Sequence, residues 1–80
     1  MYWKVKSVEA RDDYTLALTF EDGERKLFDV KPYLDKGVFR ELQDINMFKT
    51  VRIYFSTIAW ANGADFDPEG LYELGLPLAD

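Results

Sequence analysis

Seven residues, "YTLALTF" at positions 14–20, constrain this chain more than any others. Tyr14, Leu16, Leu18 and Phe20 alternate with Thr15, Ala17 and Thr19, a period of two that fits a strand with one apolar face and does not fit a helix. "EDGE" follows at once, and Asp22-Gly23 marks a hairpin, because glycine accepts the positive φ that such turns need. A two-residue loop sets Glu21 against Glu24 and Leu16 against Asp29. A three-residue loop with Gly23 in a bulge pairs Leu16 with Phe28 and Tyr14 with Val30. The second separates the like charges and aligns the apolar faces, so it is the expected register.

The rest of the chain is read around this hairpin. A first strand runs from about Trp3 to Ala10, with Trp3 and Val5 in one phase and Val8 and Ala10 in the other, which predicts a β-bulge near Lys6 and Ser7. A third strand, Arg25 to Val30, stops before Lys31-Pro32, because proline has no amide for the ladder. Pro32 opens a helical turn through Tyr33 and Leu34 that Gly37 is expected to end. Phe39, Leu42, Ile45 and Phe48 then recur at every third position, predicting one or two short helices over the inner face of the sheet, with Asp44 capping the second. Alternation returns in "TVRIYF" (Val51, Ile53, Phe55) and "IAWA" (Ile58, Trp60), two strands read as a tight hairpin about Ser56-Thr57. A last helix spans Pro68 to about Leu74, terminated by Gly75 and Pro77. The fold class is α+β: an antiparallel sheet of about five strands, built from hairpins, with short helices packed on one face.

Eighty residues make a single domain, 1–80, burying only about 60% of the surface exposed by the unfolded chain. Two Trp, five Tyr and six Phe are available to fill so small an interior. The absence of cysteine and histidine removes disulfides, the usual zinc ligands, the thiol nucleophile and the commonest general base. The start "MYWKVKSVEA" has no apolar run of the signal-peptide kind, and no segment reaches a membrane span, so the cytoplasm is the expected location and no membrane partner is expected.

The net charge of −5 is unevenly spread. Residues 1 to 64 carry ten basic and ten acidic side chains, whereas Asp65, Asp67, Glu69, Glu73 and Asp80 have no base among them. An acidic end disfavours direct binding to phosphate backbones and suits a basic partner, though such a surface also serves solubility alone.

The stretch "WANGADFDPEGLYELG" sharpens the question, because Asp65, Asp67 and Glu69 followed by Gly70 read like the first half of an EF-hand loop. Position 12 of that loop, which calls for a bidentate glutamate, is Leu76, and position 4 is Pro68. No metal site and no cofactor are therefore expected. The preferred reading is local: Asp67 before Pro68 has the pattern of an N-cap and first helical residue, with Glu69 at the positive end of the helix dipole. Asn62-Gly63 supplies the preceding turn. A second reading makes an acidic corner of Asp65, Asp67, Glu69, Tyr72 and Glu73 a binding surface.

The order of "YTLALTFEDGERKLFDVKPYL", the "F-x-x-L-x-D-x-x-x-F" stretch from Phe39 to Phe48, and "IAWANGADFDPEGLYEL" resembles the bacterial DUF2442 family of small domains of unknown function. The resemblance covers nearly the whole chain. Its most specific part is Trp60, Gly63, Ala64, Asp65, Pro68, Glu69 and Leu71, matching the family ending "W-x-x-G-A-D-hydrophobic-x-P-E-x-L". The departure is a very short link between strands four and five. The resemblance implies a stand-alone domain of unassigned activity; some members are joined to a helix-turn-helix, and some are encoded beside another small protein in a toxin–antitoxin arrangement. In such a pair, this acidic chain, which is expected to carry no such added domain, would be the neutralising partner.

Three functions are weighed. The favoured one is a non-enzymatic protein-interaction module, an antitoxin-like or regulatory partner of a small basic protein, acting through the acidic corner or an exposed sheet edge. The alternative is a nucleic-acid-linked regulatory domain with Lys4, Lys6, Arg11, Arg25, Lys26 and Arg52 forming a basic face beside Trp3 and Tyr54, although direct nucleic-acid binding is not expected, since those bases alternate with core residues. An enzyme would have only Asp29, Asp65, Asp67 and Tyr72 for acid–base work, without a nucleophile–base pair or a Gly-rich phosphate loop, and is not expected. Homo-oligomers through an edge strand fit all three.

Overall fold

The computed structural model describes residues 3–78; Asp80, counted above in the acidic end, lies outside them. Three antiparallel strands open the chain: β1 (Val5–Ala10), β2 (Thr15–Phe20) and β3 (Arg25–Asp29). Leu16 stands opposite Phe28, and the Val30 amide donates to the Tyr14 carbonyl at 3.0 Å, the register of the three-residue loop. Gly23 takes φ +90 and donates to the Phe20 carbonyl at 2.9 Å, a geometry that a side chain would strain. The predicted bulge lies where expected, as the register slips between Val5 and Ser7. The slip sets Val5, Val8 and Ala10 opposite Phe20, Leu18 and Leu16, so both phases of β1 reach the same inner face.

After β3 the chain turns through a 3-10 helix, Lys31–Tyr33, with Pro32 in its first turn. A second 3-10 helix, Gly37–Gln43, and α1, Ile45–Phe48, carry the threefold apolar spacing. Leu42 and Phe48 are fully buried, and the Asp44 carboxylate accepts the Asn46 amide at 3.0 Å, capping α1 as expected. Gly37 opens the second 3-10 helix instead of ending the first, with φ +50 at the reversal between them.

A second sheet follows, in the order β4 (Arg52–Tyr54), β5 (Thr57–Ala59), β6 (Asp65–Phe66). α2 (Pro68–Leu74) leads to β7 (Leu76–Pro77), which pairs with β3 and gives the first sheet the order β1-β2-β3-β7. The fold is thus α+β and antiparallel, with its strands divided between a four-stranded and a three-stranded sheet. The β4–β5 hairpin turns one residue earlier than expected, because Tyr54 pairs with Thr57 and leaves Phe55-Ser56 as the loop. Phe55 supplies the positive φ, +55. The alternation of Ile53 and Phe55 faces outward: they are 38% and 85% exposed.

The core lies between the inner face of the first sheet and the elements that follow it. Leu16, Leu18, Phe20, Phe28 and Val30 meet Leu42, Phe48, Ile58, Trp60, Ala64 and Leu71 there. The Phe66 ring contacts the rings of Phe28, Tyr33, Phe39 and Trp60 at centroid distances of 4.8–5.8 Å. Trp60 is 1% exposed, and its indole N–H donates to the Phe48 carbonyl at 2.8 Å. Replacing Trp60 with Phe leaves that buried carbonyl without its donor, at a cost of about 1–3 kcal/mol before any cavity term. A urea titration is expected to show a lower midpoint with an unchanged slope.

Candidate functional site

The acidic stretch is placed by its apolar neighbours. The Asn62-Gly63 turn, with Gly63 at φ +91, returns the chain so that the Trp60 amide donates to the Ala64 carbonyl at 2.9 Å. β6 then lies along β5, Asp65 opposite Ala59 and Phe66 opposite Ile58. Since successive strand residues point to opposite faces, packing Phe66 inward drives Asp65 out. Asp67, Glu69 and Glu73 are exposed as well. Glu69 and Glu73 stand four apart on α2 and share one of its faces.

Asp67 occupies the N-cap position by its backbone, its carbonyl accepting the Leu71 amide at 3.1 Å, but its carboxylate makes no capping hydrogen bond. The expected side-chain cap is therefore corrected: Pro68 at the start of α2 has no N–H to offer, and the carboxylate stays in solvent. Among the described residues, no group of acidic side chains is arranged to hold a metal ion.

Tyr72 is turned away from this cluster. Its hydroxyl donates to Asp22 at 2.8 Å, its ring stands edge-on to Phe20 at 4.9 Å, and the Lys26 ammonium lies 4.2 Å from the ring centroid while donating to the Tyr72 carbonyl. These contacts clamp α2 to the β2–β3 loop, a role that sequence reasoning missed because the partners are 50 positions apart. The Glu24 amide first, and the Tyr72 hydroxyl second, hold the Asp22 carboxyl below its ordinary value. The same bond and burial raise the Tyr72 hydroxyl.

The other expected constellations are dispersed. Lys4 and Lys6 belong to the β1 side, whereas Lys26 is held at Tyr72 on β3, across β2 from them. Asp29 pairs with Lys31 at 3.0 Å, at the far end of β3 from the loop that Tyr72 engages. Two exposed apolar features were not foreseen. Leu74 and Leu76, 64% and 66% exposed, border an open cavity of about 410 Å³ with Leu27, Phe28, Pro32 and Tyr33. Tyr54 and Phe55 crown the β4–β5 hairpin, their rings edge to face at 4.7 Å. The leucines beside Gly75 were a usable signal for the first; the second was hidden by an alternation that looked like a buried face.

Two outcomes follow for these side chains. Asp44→Ala is expected to cost about 1 kcal/mol through loss of its cap, and Asp67→Ala to stay within about 0.5 kcal/mol of the parent, both measured by denaturant unfolding. The depressed Asp22 carboxyl contributes stability above 3.8, the ordinary carboxyl value, that is lost as pH falls through its folded value. The raised Tyr72 hydroxyl contributes below 10.0, and that contribution is lost as pH rises through its folded value. In an NMR titration, Tyr72→Phe is expected to move the Asp22 carboxyl part of the way back up, the Glu24 amide retaining the rest.

No helix among the described residues is long and apolar enough to cross a membrane. No curated protein matches the chain, and no solved structure does. Residues 5–76 match the family described as "Protein of unknown function (DUF2442)". That span takes in both sheets and the whole acidic stretch from Asp65 to Glu73, and the chain belongs to the DUF2442 family.

Proposed function

We propose that this protein is a non-enzymatic interaction module of the cytoplasm that holds a small basic protein through Asp65, Asp67, Glu69 and Glu73, as its antitoxin-like or regulatory partner. One contrast carries this reading. Those four carboxylates are exposed and form no hydrogen bond or ion pair with any described residue, whereas seven others are engaged: Asp12 with Lys49, Asp13 with Thr15, Asp22 with Tyr72, Asp29 with Lys31, Asp35 with Lys36, Glu41 with Asn62 and Asp44 with Asn46. Unneutralised like charges on one short stretch repel one another. A cationic partner relieves that repulsion and is steered toward it over about a Debye length.

A pull-down from native-host extract at low and high salt tests the reading, comparing the parent with an Asp65→Asn, Asp67→Asn, Glu69→Gln, Glu73→Gln variant. A basic protein retained at low salt and weakened on the order of tenfold in the variant is the expected result, each exposed charge contributing a few tenths of a kcal/mol or more. Equal retention of every captured protein by both forms would remove the acidic surface from the binding site.

A further inference from the structure

The aromatic hairpin tip and the leucine-bordered cavity are complementary and lie on opposite sides of the first sheet. The tip is fixed beside β1, because the Ser56 carbonyl accepts the Val5 amide at 3.0 Å. The cavity lies against β3 and β7, at the other end of the order β1-β2-β3-β7. Phe55 is 85% exposed and adopts φ +55, a conformation that bulky side chains rarely take and that glycine or asparagine fills without strain. Strain of this kind on an exposed ring points to a use for the ring.

The charges match as well. Around the tip stand Lys4, next to Val5, the bulged Lys6, and Arg52, whose guanidinium is 5.9 Å from the Tyr54 ring centroid. All three are exposed and make no ion pair with any described residue. The cavity has Asp29 in its lining, and Glu73 immediately precedes Leu74. An apolar knob with a basic surround and an apolar cavity with an acidic one are therefore carried by one chain.

The geometry points to head-to-tail self-association, with Phe55 of one copy entering the cavity between Leu74, Leu76, Leu27 and Tyr33 of the next. Such a contact is heterologous: each dimer keeps one free tip and one free cavity, so assembly continues beyond two copies unless a ring closes. A single inserted ring falls short of the roughly 800 Å² per partner of a standard interface, so association is weak and shows itself at high concentration. The inference does not depend on the basic-partner reading, because its test uses the purified chain alone.

Sedimentation velocity over a concentration series, with Phe55→Ser and Leu74→Glu as variants, provides the test. Both side chains are largely exposed, and amide NMR spectra verify that each variant keeps the fold. The parent is expected to grow past a dimer as concentration rises, and each variant alone to remain monomeric. Their mixture is expected to form a one-to-one dimer and stop there, since Leu74→Glu supplies an intact tip and Phe55→Ser an intact cavity. A parent that stays monomeric at the highest concentration, variants that associate like the parent, or a mixture that stays monomeric would each overturn the assignment.

Discussion

The rest of the structure depends on where one ring sits. Phe66 touches the rings of Phe28 on the first sheet, Tyr33 on the first 3-10 helix, Phe39 on the second and Trp60 at the end of β5. A chain of this size has too little volume for separate cores under each sheet, so both sheets share one, and these aromatic contacts join them. Edge-to-face and stacked geometries each add about 0.5–1.5 kcal/mol beyond burial. The two-residue strand β6 is too short to be stable by its ladder alone; it holds its place because Phe66 is anchored and the Thr57 hydroxyl donates to the Phe66 carbonyl. The acidic residues on either side of Phe66 are outward-facing by consequence.

Much of this was legible in the sequence wherever a period extended over several residues. The β2–β3 register followed from matching Leu16 with Phe28 and keeping Glu21 from Glu24, and the β1 bulge from the phase slip between Val5 and Val8. What stayed hidden were elements with no period. β6 and β7 have two residues each, so the expected single sheet became two. Gly37 and Phe55 show a different limit: the turn positions were recognised, but which residue takes the positive φ is decided by pairing across the turn. Tyr54 pairs with Thr57, and Phe55 accepts a conformation its type disfavours.

The candidate site divides along the same line. That Asp65, Asp67, Glu69 and Glu73 reach solvent follows from the alternation around Phe66 and the amphipathic placement of Leu71. That the Asp67 carboxylate leaves the α2 amides alone, while Asp44 caps α1, does not follow from residue type, since both precede helices. Tyr72 belongs to a clamp and not to the open acidic surface because Asp22 and Lys26 meet it from a distant hairpin. Long-range partners of this kind carry no local sequence signal.

The late position of Phe66 and β7 in the chain also sets an order of events during synthesis. The first three strands can pair through local contacts as soon as residue 30 has been made, but Phe28, Tyr33, Phe39 and Trp60 acquire their common neighbour only with residue 66. The open edge of β3 is covered later still, by Leu76 and Pro77. Contacts separated this far in sequence form slowly. A nascent chain therefore passes through an interval in which a hairpin is formed while its aromatic face and one strand edge are bare, the exposure through which unfinished chains aggregate. For this fold, prompt completion of the last dozen residues matters to solubility as much as any charge on the finished surface.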